Sequence, residues 1–280
     1  MEVEIDFRKT VQENANKLFE EAKKAKRKLS TAERTLERSM KKLGDAKEGK
    51  IEVKKVTVKK RKPRGKWFEA YRWMHTTEGF LVIAGKDARQ NEMIFKKRID
   101  ENDIVLHADI PGAPLTILKV DKTDPTPSAI REAAEMAGAY SSAWKAGVGN
   151  IDVYWIRPDQ VSKTAQSGEF LPKGAFMIRG QKNYLKKMTL KLSIGVMFFI
   201  DKKTKEEKIK VIGGNVQSIN EHAKYFVTIV PGSMSQLEVA KEIKKRILQK
   251  AMPEHVDMIE ELDADDFVKF IPAGKSSLVG

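Results

Sequence analysis

A strand that hands its chain directly to a capped helix is the feature that most constrains this sequence. Residues 80–84 (FLVIA) form a short apolar run of the kind that makes a buried strand, and Gly85 permits the turn out of it. Asp87 followed three residues later by Gln90 has the form of a helix N-cap, so a strand delivers a helix N-terminus. The first turn then carries Arg89, Gln90 and Asn91, with Lys86 just before it. Free backbone N–H groups, the positive end of the helix dipole and these side chains converge on a position suited to an anion such as phosphate. On spacing alone, an ordinary polar helix start accounts for the same residues.

The elements around this unit alternate between strands and helices. Strands are expected at 104–109, 115–120 and 153–156, and helices at 88–98 and 128–145, the latter rich in Ala, Ser and Gly and entered through Pro125 and Pro127 with Ser128 as cap. That pattern predicts a mixed α/β (α+β) domain. In front of it, Trp67, Tyr71 and Met74 would share one helical face and read as core anchors. After residue 187 a smaller α+β unit is expected: a hairpin from 190–200 and 208–212, a strand at 225–230, a basic helix at 236–251 and an acidic helix at 254–266.

At the other end, Val11, Ala15, Leu18, Ala22, Ala25, Leu29, Ala32 and Leu36 recur by fours and threes, which is a heptad seam seeking a partner helix. Gly44 and Gly49 are expected to end this helix, and residues 50–62 alternate like a strand. The resulting division is an arm at 1–48, a basic linker at 49–66, the main domain at 67–187 and an extension at 188–280.

Charge identifies the kind of partner. The formal net charge is +14, and eight of the thirteen residues from 54 to 66 are Lys or Arg, among them Lys59, Lys60, Arg61, Lys62 and Arg64. Such a balance favours a polyanion, because each neutralised phosphate releases counterions without any reading of sequence. The longest apolar run, 194–200, is too short to span a bilayer, and the acidic N-terminus lacks a signal-peptide core, so a cytoplasmic protein with no membrane partner is expected. The chain has no cysteine, which removes thiolate catalysis and thiolate-bound zinc. His107 and Asp109 have the spacing of two ligands on one strand face, yet no third ligand accompanies them, and a hydrogen-bonded pair lining a polar cleft is expected instead.

Residues 160–184 read as loop, with Gly168, Gly174 and Gly180 near Lys163, Arg179 and Lys182, an arrangement suited to phosphate or ribose contacts or simply to turns. GKS at 274–276 is no phosphate-binding loop, because Lys269 stands where its first glycine belongs. No Ser-His-Asp set, carboxylate pair or cofactor fingerprint appears. A binding protein without a cofactor is therefore expected, with a hydrolase built on His107 and Asp109 as the competing reading.

Taken in order, GKDARQNEMI (85–94), HAD (107–109), VSK (161–163), GEFL (168–171) and FMIRG (176–180), followed by Lys182 and Asn183, resemble the NFACT-R domain of the NFACT (NEMF/RqcH) ribosome-associated quality-control family. The resemblance covers about residues 66–184. IVPG (229–232) and IPAGKS (271–276) are similar to an extension found in archaeal members. It implies a long helical arm between an N-terminal NFACT domain and this one, so that the chain corresponds to a fragment beginning inside that arm. It further implies binding to obstructed large ribosomal subunits and tRNA, in support of untemplated C-terminal tailing of stalled chains. The implied partners are large-subunit RNA, tRNA and the N-terminal NFACT domain, to which the heptad seam adds a second copy through the arm or a helix of the parent protein. The expected RNA contacts are Lys59, Lys60, Arg61, Lys62, Arg64, Lys86, Arg89, Gln90, Asn91, His107, Lys163, Arg179, Lys182 and Asn183, with Arg89 and Arg179 as neighbours across one cleft. A general nucleic-acid-binding module is the alternative.

Overall fold

The computed structural model describes residues 6, 7, 10–47, 66–121, 123–164, 174–201 and 204–279. The chain divides into two compact units, 1–64 and 65–280.

The first unit contains one helix, α1 (Val11–Lys47). Its start is held by a reciprocal cap: the Thr10 amide donates to Glu13 Oε2 at 2.8 Å and the Glu13 amide to Thr10 Oγ1 at 3.3 Å. The seam positions Val11, Leu18, Leu29 and Leu36 are exposed. Gly44 does not end the helix, which continues to Lys47, since a single glycine costs only about 1 kcal/mol in a helix interior. The strand expected within 50–62 and the basic stretch from Lys59 to Arg64 lie outside the described residues.

The second unit opens with a 3-10 turn, Trp67–Ala70, and then strand β1 (Arg72–His75), not the single helix expected there. Aromatics three and four apart satisfy either a helical face or a turn that feeds an alternating strand, and here the strand prevails because Trp73 and Met74 both enter the core. Tyr71 is buried as an anchor, whereas Trp67 is exposed beneath the Arg98 guanidinium, 4.3 Å from its ring centre.

β1 turns through Gly79, whose φ of +89° suits a residue without a Cβ, into β2 (Leu81–Ala84). There follow α2 (Ala88–Lys97), β3 (Ile104–Ala108), β4 (Thr116–Leu118), α3 (Pro127–Ala139), α4 (Ser142–Ala146), β5 (Asn150–Ile156), the two-residue strands β6 (Val161–Ser162) and β7 (Met177–Ile178), and β8 (Asn183–Thr189). The main sheet has the order β1-β2-β4-β3-β5-β8, and its strand pairings are antiparallel. The α+β class expected from the sequence holds.

Two local expectations are corrected. The helix expected over 128–145 breaks at Tyr140 and Ser141, because the Ser141 hydroxyl caps a second helix through the Ala143 amide. The cap of the first part is Thr126, not Ser128, with its hydroxyl accepting from Ala129 N. α3 lies against one sheet face at close range: a Cβ on Gly138 would stand 3.1 Å from Ile151 Cγ2 and 3.2 Å from Leu190 Cδ2. The small residues of this helix are what allow that approach.

A second sheet, β10-β9-β11-β12, is built from β9 (Leu192–Ile200), β10 (Glu207–Gly214), β11 (Tyr225–Met234) and β12 (Ser276–Val279). α5 (Val216–His222) follows β10, and α6 (Gln236–Lys250) buries Val239, Ala240, Ile243 and Ile247. The acidic stretch is two helices, α7 (Pro253–Glu260) and α8 (Ala264–Val268), instead of one. The two sheets share a core: Tyr140 Oη donates to the Phe270 carbonyl at 2.8 Å, and Trp144 Nε1 donates to Ser276 Oγ at 3.1 Å. Among the described residues, no helix is long and apolar enough to cross a membrane.

Candidate nucleic-acid interface

With α3 on one face of the main sheet, side chains of the opposite parity on β3 and β5 point to the other face. Pairing brings His107 opposite Tyr154, and Tyr154 opposite Tyr184. A row of three rings therefore crosses β3, β5 and β8, with centroids 5.8 Å and 5.7 Å apart. Its exposure is uneven: the central Tyr154 is only 4% accessible and His107 is half-buried, while Tyr184 is 41% accessible.

Lysines flank the row. Lys182 Nζ stands 4.2 Å from the Tyr154 ring centre and Lys186 Nζ 4.3 Å from that of Tyr184. Lys186 is steadied by Asp152 Oδ2 at 2.8 Å, a hydrogen bond that raises its pKa. At the ends, Tyr154 Oη lies 3.4 Å from His107 Nδ1 and Tyr184 Oη donates to Asp109 Oδ2 at 3.4 Å. His107 and Asp109 thus take a tyrosine each and do not form the pair with one another that their spacing suggested. Burial holds the His107 imidazole below its usual pKa, the Lys182 charge adding to the effect, while hydrogen bonds to the Ala108 and Ala113 backbone and the charge of Asp109 oppose it. Burial, with the nearby Asp109 and Tyr184, pushes the Tyr154 phenol up to about 12. Both groups are neutral near pH 7.

Behind the row opens a cleft of about 510 Å³. Val105, His107, Tyr154 and Ile156 form its sheet side, with Lys86 and Asp87 at the start of α2 and Phe176 opposite.

The start of α2 is not the anion site its spacing suggested. Asp87 does cap it, accepting from Gln90 N at 2.8 Å, but this places a carboxylate where an anion would have to come. Gln90 is spent on the fold, accepting from Lys86 N at 3.0 Å and donating to the Ala70 carbonyl at 3.2 Å. Asn91 Oδ1 accepts from Leu115 N at 3.2 Å. Lys86 Nζ also donates to the Ala70 carbonyl, at 2.8 Å. Arg89 is exposed and has no carboxylate partner among the described residues, as is the case for Arg179. Neither of the two lines the cleft, so the shared phosphate clamp expected of them is not assembled there.

Lys163 binds Glu92 Oε1 at 2.8 Å and lies 4.7 Å above the Phe176 ring, which makes it a brace and not a free cation. Asn183 is not in a loop: it begins β8, and its Nδ2 donates to the Trp155 carbonyl at 3.4 Å. Lys59, Lys60, Arg61, Lys62 and Arg64 lie outside the described residues, as do Gly168 and its neighbours. Of the expected contacts, only His107 and Lys182 belong to the ring row. Tyr154, Tyr184 and Lys186 were missed, and their only signal is the alternation of IDVYWI and NYLKK, which gives no register between strands about thirty residues apart.

Residues 70–180 match the NFACT protein RNA binding domain. The chain carries an NFACT-R domain. It is 36% identical to the archaeal Rqc2 homolog aRqcH of Methanocaldococcus jannaschii over 82% of this chain and 31% of that protein. It is 31% identical to the ribosome quality control complex subunit NEMF of Mus musculus over 95% of this chain and 25% of that protein. For the ribosome quality control complex subunit 2 of Schizosaccharomyces pombe the identity is 33% over 74% of this chain and 21% of that protein. The chain thus spans less than a third of the length of each of these relatives. His107, Tyr154 and the cleft fall within the matched NFACT-R residues, and Lys182, Tyr184 and Lys186 follow directly after them.

Proposed function

We propose that this chain is the RNA-contacting part of a ribosome quality-control factor, acting on large ribosomal subunits obstructed by peptidyl-tRNA and contributing to tRNA recruitment for untemplated C-terminal tailing. The observation that carries the reading is the His107–Tyr154–Tyr184 row flanked by Lys182 and Lys186, which crosses the sheet face opposite α3 within and directly after the NFACT-R match and opens to solvent at Tyr184. An exposed aromatic face at Tyr184 beside the Lys182 cation suits RNA, where a base stacks and a phosphate neutralises the lysine. Arg89, Arg179 and the basic stretch from Lys59 to Arg64 add affinity without sequence choice, since point charges on exposed segments contact phosphate but hold no register on base edges. The chain acts as a binding module without a cofactor. Tailing itself draws on the N-terminal NFACT domain of a parent protein.

Sedimentation with purified large ribosomal subunits, in competition with tRNA and with duplex DNA of equal length, tests this. Co-sedimentation that tRNA displaces better than DNA, and that weakens by about 1–3 kcal/mol in Tyr184→Ala, is the expected result. Equal displacement by DNA would instead favour a general nucleic-acid-binding module.

A further inference from the structure

The cleft behind the ring row has no role in the reading above, which requires only a charged, stacking surface. Its chemistry separates base from phosphate. The walls are largely apolar, through Val105, Ile156, Phe176 and Ile178, and a volume of about 510 Å³ lies within the range of small-ligand sites, roughly 300–1,000 Å³, ample for one nucleobase.

The two cations of the lining, Lys86 and Arg72, are turned to the protein itself. Lys86 donates to the Ala70 carbonyl, Arg72 lies 4.1 Å above the Tyr140 ring, and the Asp87 carboxylate at the wall repels anions. Lys182 and Lys186 instead stand along the row that leads to the cleft, beside Tyr154 and Tyr184. His107, half-buried on the row, also belongs to the cleft lining, where its ring, tied to Tyr154 and to the Ala108 and Ala113 backbone, forms a rigid wall.

Resting on the RNA reading, we infer that this cleft receives a single unpaired base of a bound RNA, with the strand's phosphates held outside it by Lys182. A base inside a duplex reaches such a site only after it is unpaired and unstacked, at a cost of a few kcal/mol, so the site selects single-stranded ends or bulges over continuous helix.

The test compares a blunt RNA duplex with the same duplex carrying a short single-stranded 3′ end that contains 2-aminopurine. The intact chain should bind the tailed duplex roughly ten-fold more tightly, the scale of one stacked base, and change the 2-aminopurine emission. Ile178→Trp, which fills the cleft, should abolish the preference while leaving affinity for the blunt duplex unchanged. His107→Ala, which does not add bulk, should reduce the preference and serves if the filled variant does not fold. Equal affinity of the intact chain for the two duplexes overturns the cleft assignment and leaves RNA binding standing. Failure to bind either RNA overturns both.

Discussion

The Asn91 carboxamide oxygen occupies the place of a side chain on Gly85: a Cβ built there would lie 2.0 Å from it, while the same oxygen accepts the Leu115 amide at 3.2 Å. The turn out of β2, the first turn of α2 and the entry to β4 are therefore tied through one atom. Gly85→Ala should displace Asn91 and leave the Leu115 N–H without its acceptor, a loss of about 1–3 kcal/mol. Urea denaturation measures it. Adding Gly85→Ala to an Asn91→Ala background should cost less, because the 2.0 Å clash with Oδ1 is gone and only the 3.0 Å approach to the residue 91 backbone nitrogen remains; equal costs in the two backgrounds would show that the Asn91 side chain is not the obstacle.

What the sequence made legible and what it did not divide by distance along the chain. The Asp87 cap was readable because its partner, Gln90, is three residues away. Arg89, Gln90 and Asn91 were equally conspicuous, but whether a polar side chain meets a ligand or the fold depends on partners such as Leu115, which local spacing does not specify. The strands of the main sheet were recognisable from apolar runs, whereas the ring row depends on the pairing of β5 with β8. The break between α3 and α4 escaped because continuous Ala and Ser mask a cap at Ser141.

Lys163 should act on stability and not on RNA. Its hydrogen bond, followed by that of the Gly174 amide, holds the Glu92 carboxyl below its ordinary value of 4.5. The pKa of the folded state is therefore the lower one, so the contribution is complete above about pH 4.5 and is lost as the pH falls through the folded value. Lys163→Met should lower Tm at pH 7 and change RNA affinity by less than about two-fold, since a neutralised lysine releases few counterions. Melting curves and filter binding decide: an unchanged Tm with strongly weakened RNA binding would restore Lys163 as an RNA contact.

The exposed seam of α1 predicts association of this helix with another. Leu18 and Leu29 are exposed on a 37-residue helix, too much apolar surface for a stripe with no partner. Leu18→Lys with Leu29→Lys should reduce the mass seen by sedimentation equilibrium and the helicity seen by circular dichroism. If both are unaltered, the seam is not a coiled-coil contact of this chain.

His107 should make the chain sensitive to mild acid. Burial is the main reason its folded pKa lies below 6.5, with Lys182 acting in the same direction. The unfolded state therefore takes up the proton more readily. The neutral imidazole's contribution is complete above about pH 6.5 and diminishes as the pH falls towards the folded value. His75 is shifted in the same direction, by burial first and then by Lys66, His222 and Lys210, so removing one histidine removes only part of the slope. Tm should fall between about pH 7.5 and about pH 5.5, and more gently in His107→Gln, which keeps a polar group but cannot titrate. A titration of the His107 ring signals by NMR should give a midpoint below 6.5 in the folded chain. A midpoint at or above that value, or an unaltered Tm slope in His107→Gln, would mean that the imidazole is hydrated and that the inner end of the ring row is open to water.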